Sequence, residues 1–239
     1  MKRILLLLLI IITTFCTGQN VNKSSPQAIG LVAFYPLNGI GGNIAIDGMG
    51  LHNGTLTNGA YFANGGCNFD GVDDYIETNY ILTSGASFTM CGWGKSPNFV
   101  GNQYNDRIFG NASSTTGTSG ASILWHCTSS NLLTAVRRKG SNNGSTDVSD
   151  VPATGLNVGW HFVCQTYDVN NGNVLYYDGK VVGTNSTTGF TSVLPFRIGR
   201  DGNGSDKFFG QIRDVRLYSR AATPTEIKDW YINPNKILR

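Results

Sequence analysis

Short apolar runs alternate along the chain with polar stretches rich in Gly, Asn, Ser and Thr. LVAFYPL (31–37) is one such run, stopped by Pro36. CNFDGVDDYIET (67–78) reads as a strand, a tight Asp-Gly turn and a second strand. SFTMCGWGK (87–95) is a further strand, and ASILWHCTS (121–129) with NLLTAVRRK (131–139) reads as a hairpin pair. GWHFVCQTYD (159–168) and NVLYYDGKVVGT (173–184) read as two strands joined by the Asn-rich turn VNNGN. PFRIGR (195–200) leads into the loop DGNGSDK, and FFGQIRDVRLYSR (208–220) closes the sheet. Several of these runs are apolar on both sides, which suits central strands covered on both faces.

Only TPTEIKDWY (223–231) carries clear helix signals. Thr223 can cap, Pro224 suits the first turn, and Glu226 stands three residues after the cap. Many short strands with one late helix predict an all-β fold, an antiparallel β-sandwich. No internal repeat interrupts this pattern, and a chain of 239 residues with 31 glycines and only 14% charged residues fits one such domain.

The N-terminus departs from the alternation. Lys2 and Arg3 precede a continuous apolar run from Ile4 to Ile12, followed by small polar residues. This is the pattern of a secretory signal peptide, too short to span a bilayer as a helix. Cys16 raises a lipoprotein reading, against which Phe15 stands where such processing wants a small residue. Cleavage near Gly18 fits better. The expected organisation is a signal peptide at 1–18, a flexible lead-in at 19–29, the β-domain at 30–232 and a C-terminal tail at 233–239. The expected location is secreted, extracellular or periplasmic, with no membrane span.

Removing the signal takes two of the 18 basic side chains and leaves 16 against 15 acidic, a net charge near +1. No electrostatic case for nucleic acid or a membrane surface survives. The cluster Arg137, Arg138 and Lys139 is read as a solvated strand end. Cys67, Cys91, Cys127 and Cys164 remain, and in an exported chain they suggest disulfides with three full connectivities open. No Cys-x-x-Cys pair exists and His52, His126 and His161 lie far apart, so zinc spacing is absent.

Taken in order, LVAFYPLNG, DGMGLHNGT, NFDGVDDYIE, SFTMCGWGK, GWHFVCQTYD, LYYDGKVVGT, FRIGRDG and FFGQIRDVRLYSRAATPTEI resemble the laminin-G-like, concanavalin A-like jelly roll, over roughly residues 30–231. The resemblance implies a two-sheet antiparallel jelly-roll sandwich with one short C-terminal helix. Pentraxins, a branch of that fold, carry cysteines in the strands that FTMCGWGK and HFVCQTYD resemble, which implies a Cys91–Cys164 disulfide. Mid-strand cysteines on adjacent antiparallel strands can meet the required Cα separation. The bond would close a loop of about 74 residues and constrain the unfolded chain by roughly 4 kcal/mol. Cys67 and Cys127 are a candidate second pair, though nothing in the spacing compels it.

The same fold houses glycoside hydrolases, which need two carboxylic acids flanking the sugar bond. The chain has only Glu77 and Glu226, one ending a strand and one in the helix cap, and no Glu-x-Asp-x-Glu strand. Asp73 and Asp74 belong to a turn. No Gly-x-Ser-x-Gly elbow, P-loop or EF-hand spacing appears. The resemblance implies one structural Ca²⁺. Glucanase-like ligands would be Asp214 with the carbonyl of Gly71, and Asp47 is another candidate. The pentraxin-like loop offers Asp201, Asn203 and Asp206, but the matching earlier Asp-Asn pair falls near Gly120 and Ala121. Calcium takes six to eight oxygens, so one carboxylate with carbonyls and water is a feasible set.

The function expected is a secreted, non-catalytic binding module for carbohydrate or a cell-surface glycoconjugate, with a glycan or a surface protein as partner. The alternative is a protein–protein adhesion module, and a glycan-cleaving enzyme ranks last. Sugar sites combine aromatic platforms with amide and carboxylate groups. Tyr104, Trp125 and Phe208 are the candidate aromatics, beside Asp106, Arg107 and Asn203.

Overall fold

The computed structural model describes residues 19–39, 41–96, 106–112, 120–126, 132–137, 151–152, 159–186, 188–189, 191–200, 202, 204 and 206–239. In chain order the strands are β1 (Leu31–Tyr35), β2 (Ile44–Ala45), β3 (Gly54–Thr57), β4 (Tyr61–Ala63), β5 (Gly66–Asp70), β6 (Tyr75–Glu77), β7 (Phe88–Lys95) and β8 (Asp106–Gly110). They continue as β9 (Ala121–His126), β10 (Leu132–Arg137), β11 (Val151–Pro152), β12 (His161–Asp168), β13 (Gly172–Tyr177), β14 (Lys180–Asn185), β15 (Arg197–Ile198) and β16 (Phe209–Tyr218). One α-helix, α1 (Pro224–Ile232), follows.

Among the described residues these strands form two antiparallel sheets. The first runs β14-β13-β12-β7-β16-β5-β4, with β1 also paired to β16; the second runs β11-β10-β9-β8-β15-β6-β3-β2. This is the two-layer jelly-roll sandwich. Alternation along the strands sets the faces. In the first sheet Cys67, Phe69, Phe88, Met90, Val163, Tyr167, Leu175, Ile212, Val215 and Leu217 turn inward, where they meet Leu56, Ile76, Ile108, Phe109, Ile123 and Ile198 of the second.

Two turns differ from their expected roles. The Asp-Gly turn at 70–74 does not close a hairpin. β5 pairs with β16 and β4, whereas β6 pairs with β3 and β15, so the chain crosses from one sheet to the other there. NVLYYDGKVVGT, read as one strand, is itself a hairpin of β13 and β14. Asp178 (φ 48°) and Gly179 (φ 73°) both occupy the left-handed region that a two-residue hairpin turn requires.

The outer face of the first sheet is half covered. Phe34, Cys91, Phe162, Cys164, Tyr176 and Tyr218 form a second apolar cluster beneath Ile227 and Trp230 of α1. Thr223 caps α1 in a reciprocal box with Glu226, as its sequence predicts. The flexible lead-in expected at 19–29 and the tail at 233–239 are instead packed over this cluster. Val21 and Ile237 are buried in it. The Asn22 amide donates to the Ile237 carbonyl (2.8 Å), and the Tyr218 hydroxyl donates to the Gln27 carbonyl (3.0 Å). A few apolar anchors and one buried glutamine suffice to pin both segments.

Candidate ligand-binding groove

Beyond the reach of α1 no described residue covers the outer face of the first sheet at β4, β5 and the adjoining ends of β16 and β7. Strand register builds one row of side chains across it: Tyr61 lies opposite Asn68, Asn68 opposite Gln211, and Gln211 opposite Lys95. Each is outward because its neighbours Phe62, Cys67, Phe69 and Ile212 face the core. In the next row Asp70 lies opposite Phe209. Together these line a groove of about 430 Å³.

The side chains suit recognition. Tyr61 is 58% exposed and Phe209 44%, high for large rings on a sheet face. Gln211 Nε2 donates to Asn68 Oδ1 (2.8 Å), and Asn68 Nδ2 reaches the Tyr61 carbonyl (3.4 Å), which fixes both amides. Gly210 keeps the floor flat. At φ 140° a Cβ there would stand 2.2 Å from the Lys95 carbonyl, so only glycine lets β16 approach β7 this closely.

At one end the turn after β5 gathers acids. Asp70 Oδ1 accepts the amides of Val72 (2.7 Å) and Asp73 (3.4 Å), and Asp74 Oδ2 accepts the Asp70 amide (3.0 Å). The oxygens of Asp70, Asp73 and Asp74 lie within 4.8 Å of one another. Burial, and then the neighbouring acids, push the Asp74 carboxyl above its ordinary range.

A smaller cavity of about 270 Å³ lies further along the same face, lined by Pro36, Asn38, Gly65, Trp93, Arg213, Asp214 and Asn235 among others. Asp214 stands in a bulge of β16 at φ 51°, with its amide donating to the Pro36 carbonyl (3.1 Å). The left-handed bulge takes Asp214 out of the ladder. Burial raises its carboxyl above the ordinary range, partly offset by Arg216 and Arg213. Arg213 Nε is 3.9 Å from Asp214 and its guanidinium lies over Trp160.

Several of the residues singled out in the sequence are placed differently from their expected roles. Arg107 is fully buried and bonds Asp206 at 2.6 Å, so neither is open to a ligand or to calcium. Asp47 is buried too, and its two oxygens accept four backbone amides, from Phe34, Met49, Leu51 and His52, leaving nothing for a metal. Gly71 flanks Phe209, five positions from Asp214 along β16, roughly 15 Å at strand rise. Gly65, not Gly71, shares the cavity with Asp214. Phe208 is buried against Phe69. Tyr104, Cys127, Asp201 and Asn203 lie outside the described residues, as do the side chains of Asp106 and Trp125.

Cys91 and Cys164 are direct register partners on β7 and β12. The implied bond between them is not formed in the structure, where both are buried thiols, as is Cys67. Burial, with Cys91 beside it, pushes the Cys164 thiol well up. Glu77 pairs with Arg197 and Glu226 with Arg220, each at 2.6 Å, on separate elements. Among the described residues, no helix is long and apolar enough to cross a membrane.

Residues 70–228 match the laminin-G-type family model of the concanavalin A-like lectin/glucanases superfamily. No curated protein matches the sequence. Among solved structures, the fold is similar to that of Trypanosoma rangeli sialidase, with TM-score 0.64 and 16% identity over 87% of this chain and 33% of that one. It is also similar to the native heptameric SAP-like pentraxin from Limulus polyphemus, at TM-score 0.52 and 16% identity over 69% and 80% of the two chains. The binding domain of Paraclostridial Mosquitocidal Protein 1 aligns at TM-score 0.67 and 15% identity, over 86% and 52%. The chain spans about a third of the sialidase's length, and at these identities the likeness is one of fold.

Proposed function

The chain belongs to the concanavalin A-like lectin/glucanases superfamily, and from that premise we propose that it is a secreted carbohydrate-binding module whose site is the open groove on β4, β5, β16 and β7. The observation that carries this reading is the row Tyr61–Asn68–Gln211–Lys95 with Phe209 beside it. Two exposed rings offer faces to the C–H surface of a pyranose. Between them, two amides held by each other and by backbone retain donor and acceptor capacity for sugar hydroxyls. We read the site as one that recognises rather than cleaves: the two glutamates are each committed to an arginine, and Asp70 and Asp74 at the groove's end accept amides of their own turn.

One calcium ion belongs to the same proposal. Asp214 would hold it with the side-chain oxygens of Asn38 and Asn235 and with backbone carbonyls such as that of Gly65, water completing the shell. Arg213 nearby keeps such a site weak.

The test is a glycan array probed with residues 19–239, with and without calcium, followed by titration of any binder. Tyr61→Ala and Phe209→Ala each lower affinity about tenfold, the loss expected for one stacked ring, and leave the melting temperature within a few degrees. Silence across the array with capture of a surface protein favours the adhesion reading. Oligosaccharide turnover abolished by replacing one acid favours a hydrolase.

A further inference from the structure

We infer that the groove takes an acidic saccharide, with Lys95 as the counter-ion for its carboxylate or sulfate; this rests on the groove being a carbohydrate site. Lys95 closes the cross-strand row on β7 and lines the groove, half-buried. Among the described residues no carboxylate makes an ion pair with it. Arg107 is paired with Asp206, Arg197 with Glu77, Arg220 with Glu226 and Lys236 with Asp229. Lys23, Lys180, Lys207 and Lys228 resemble Lys95 in making no ion pair among the described residues, but of these only Lys95 lines the groove. A partly desolvated ammonium without a counter-ion gains from an anion that arrives with a ligand, because a hydrogen bond between charged groups is shorter and stronger than a neutral one.

The competing influence is the acidic turn at the other end. Asp70 lies two strands across and two residues along from Lys95, about 12 Å by sheet spacing. That exceeds the Debye length of about 8 Å at physiological salt, so at Lys95 the turn is screened and the ammonium governs the local field. The turn acts instead on orientation. Asp70 Oδ1 is taken by two amides, while Oδ2 accepts no hydrogen bond among the described residues and is left to accept from ligand hydroxyls in the groove that Asp70 lines. A saccharide lying across Tyr61 and Phe209 is therefore held with its anion toward β7 and a hydroxyl-rich end toward the turn after β5. A neutral sugar leaves the ammonium unpaired; reversal sets the anion against three acids.

The experiment compares saccharides of matched backbone in three series, neutral, carboxylated and sulfated, against the wild type, Lys95→Gln and Lys95→Arg at low and high salt. Affinity for the acidic series exceeds that for the neutral one, weakens with salt, falls about tenfold or more in Lys95→Gln, and is largely kept in Lys95→Arg. The stronger of the two acidic series identifies the anion. Equal binding of neutral and acidic series, indifferent to Lys95→Gln, overturns the inference and leaves the groove as a sugar site. Binding of none of the three overturns both. Should Lys95→Gln fail to fold, the salt dependence and Lys95→Arg decide.

Discussion

Arg107 looks in sequence like a loop cation free to meet a ligand, and Asp206 like a calcium ligand. In the fold they satisfy each other, with Ser122 as a second acceptor for Arg107. Nothing in the flanking residues reveals this, because the partners are 99 positions apart and burial is a property of the assembled sheets. Asp47 illustrates the same limit: a carboxylate in a Gly-rich turn reads as a metal ligand or a turn organiser, and only the four amides converging on it decide. Asp214 is the acid that remains. Its cavity position makes calcium testable: millimolar calcium raises the melting temperature of the wild type, chelator lowers it, and Asp214→Asn removes the difference. An unchanged melting temperature in calorimetry with chelator and with calcium rejects the ion.

Elements were more legible than their partners. β2, β3, β4, β8 and β11 are short or lie in Gly- and Asn-rich stretches read as loop or left without a strand. The longer strands β1, β5, β7, β9, β10, β12 and β16 lie where alternation puts them, and α1 begins at its cap, because those signals are local. Sheet membership is not. The Asp-Gly pairs at 70–71 and 178–179 look alike, yet one carries the chain between sheets and the other closes a hairpin. The groove was hidden for a related reason. Its side chains come from four strands spread over 61–211, at outward positions, and no local motif in the sequence joins them. The adjacent pair Phe208–Phe209 carried a usable signal, since consecutive strand residues face opposite ways and one ring must be outward. The helix supports a prediction of its own. Arg220 first, then Thr223, hold the Glu226 carboxyl down from 4.5 to about 2. A depressed folded value means the pairing stabilises above pH 4.5 and is lost as pH falls towards 2. Glu226→Gln is therefore less stable than wild type at neutral pH, and the gap closes between pH 4.5 and 2. A gap constant across that window, in melting curves of both proteins, contradicts the assignment.

At the scale of the molecule, the covered half of the outer face joins the segments 19–29 and 233–239 to the sheet centre. Val21, Ile237 and Trp230 share one buried apolar cluster with Cys91 and Cys164, so the cysteine pair lies beneath α1 and these two segments. Directly opposed residues on antiparallel strands have Cα atoms about 4.5 or 5.5 Å apart, both within the range a disulfide spans. The two thiols are thus placed to form a bridge by exchange with an external disulfide, which is reduced in turn, in a chain whose segments 19–29 and 233–239 have not yet packed over them. Afterwards, burial protects whichever state was set, because the raised Cys164 thiol supplies little thiolate. In protein exported through an oxidising compartment, unreduced peptide mapping is expected to recover residues 91 and 164 in one linked fragment. Reduction in denaturant followed by refolding without oxidant then costs roughly 4 kcal/mol. For a domain of this size that lowers the melting temperature by about 10 °C. Recovery of both peptides alkylated, from exported protein unfolded without reductant, rules the bridge out and leaves two buried thiols as packing groups.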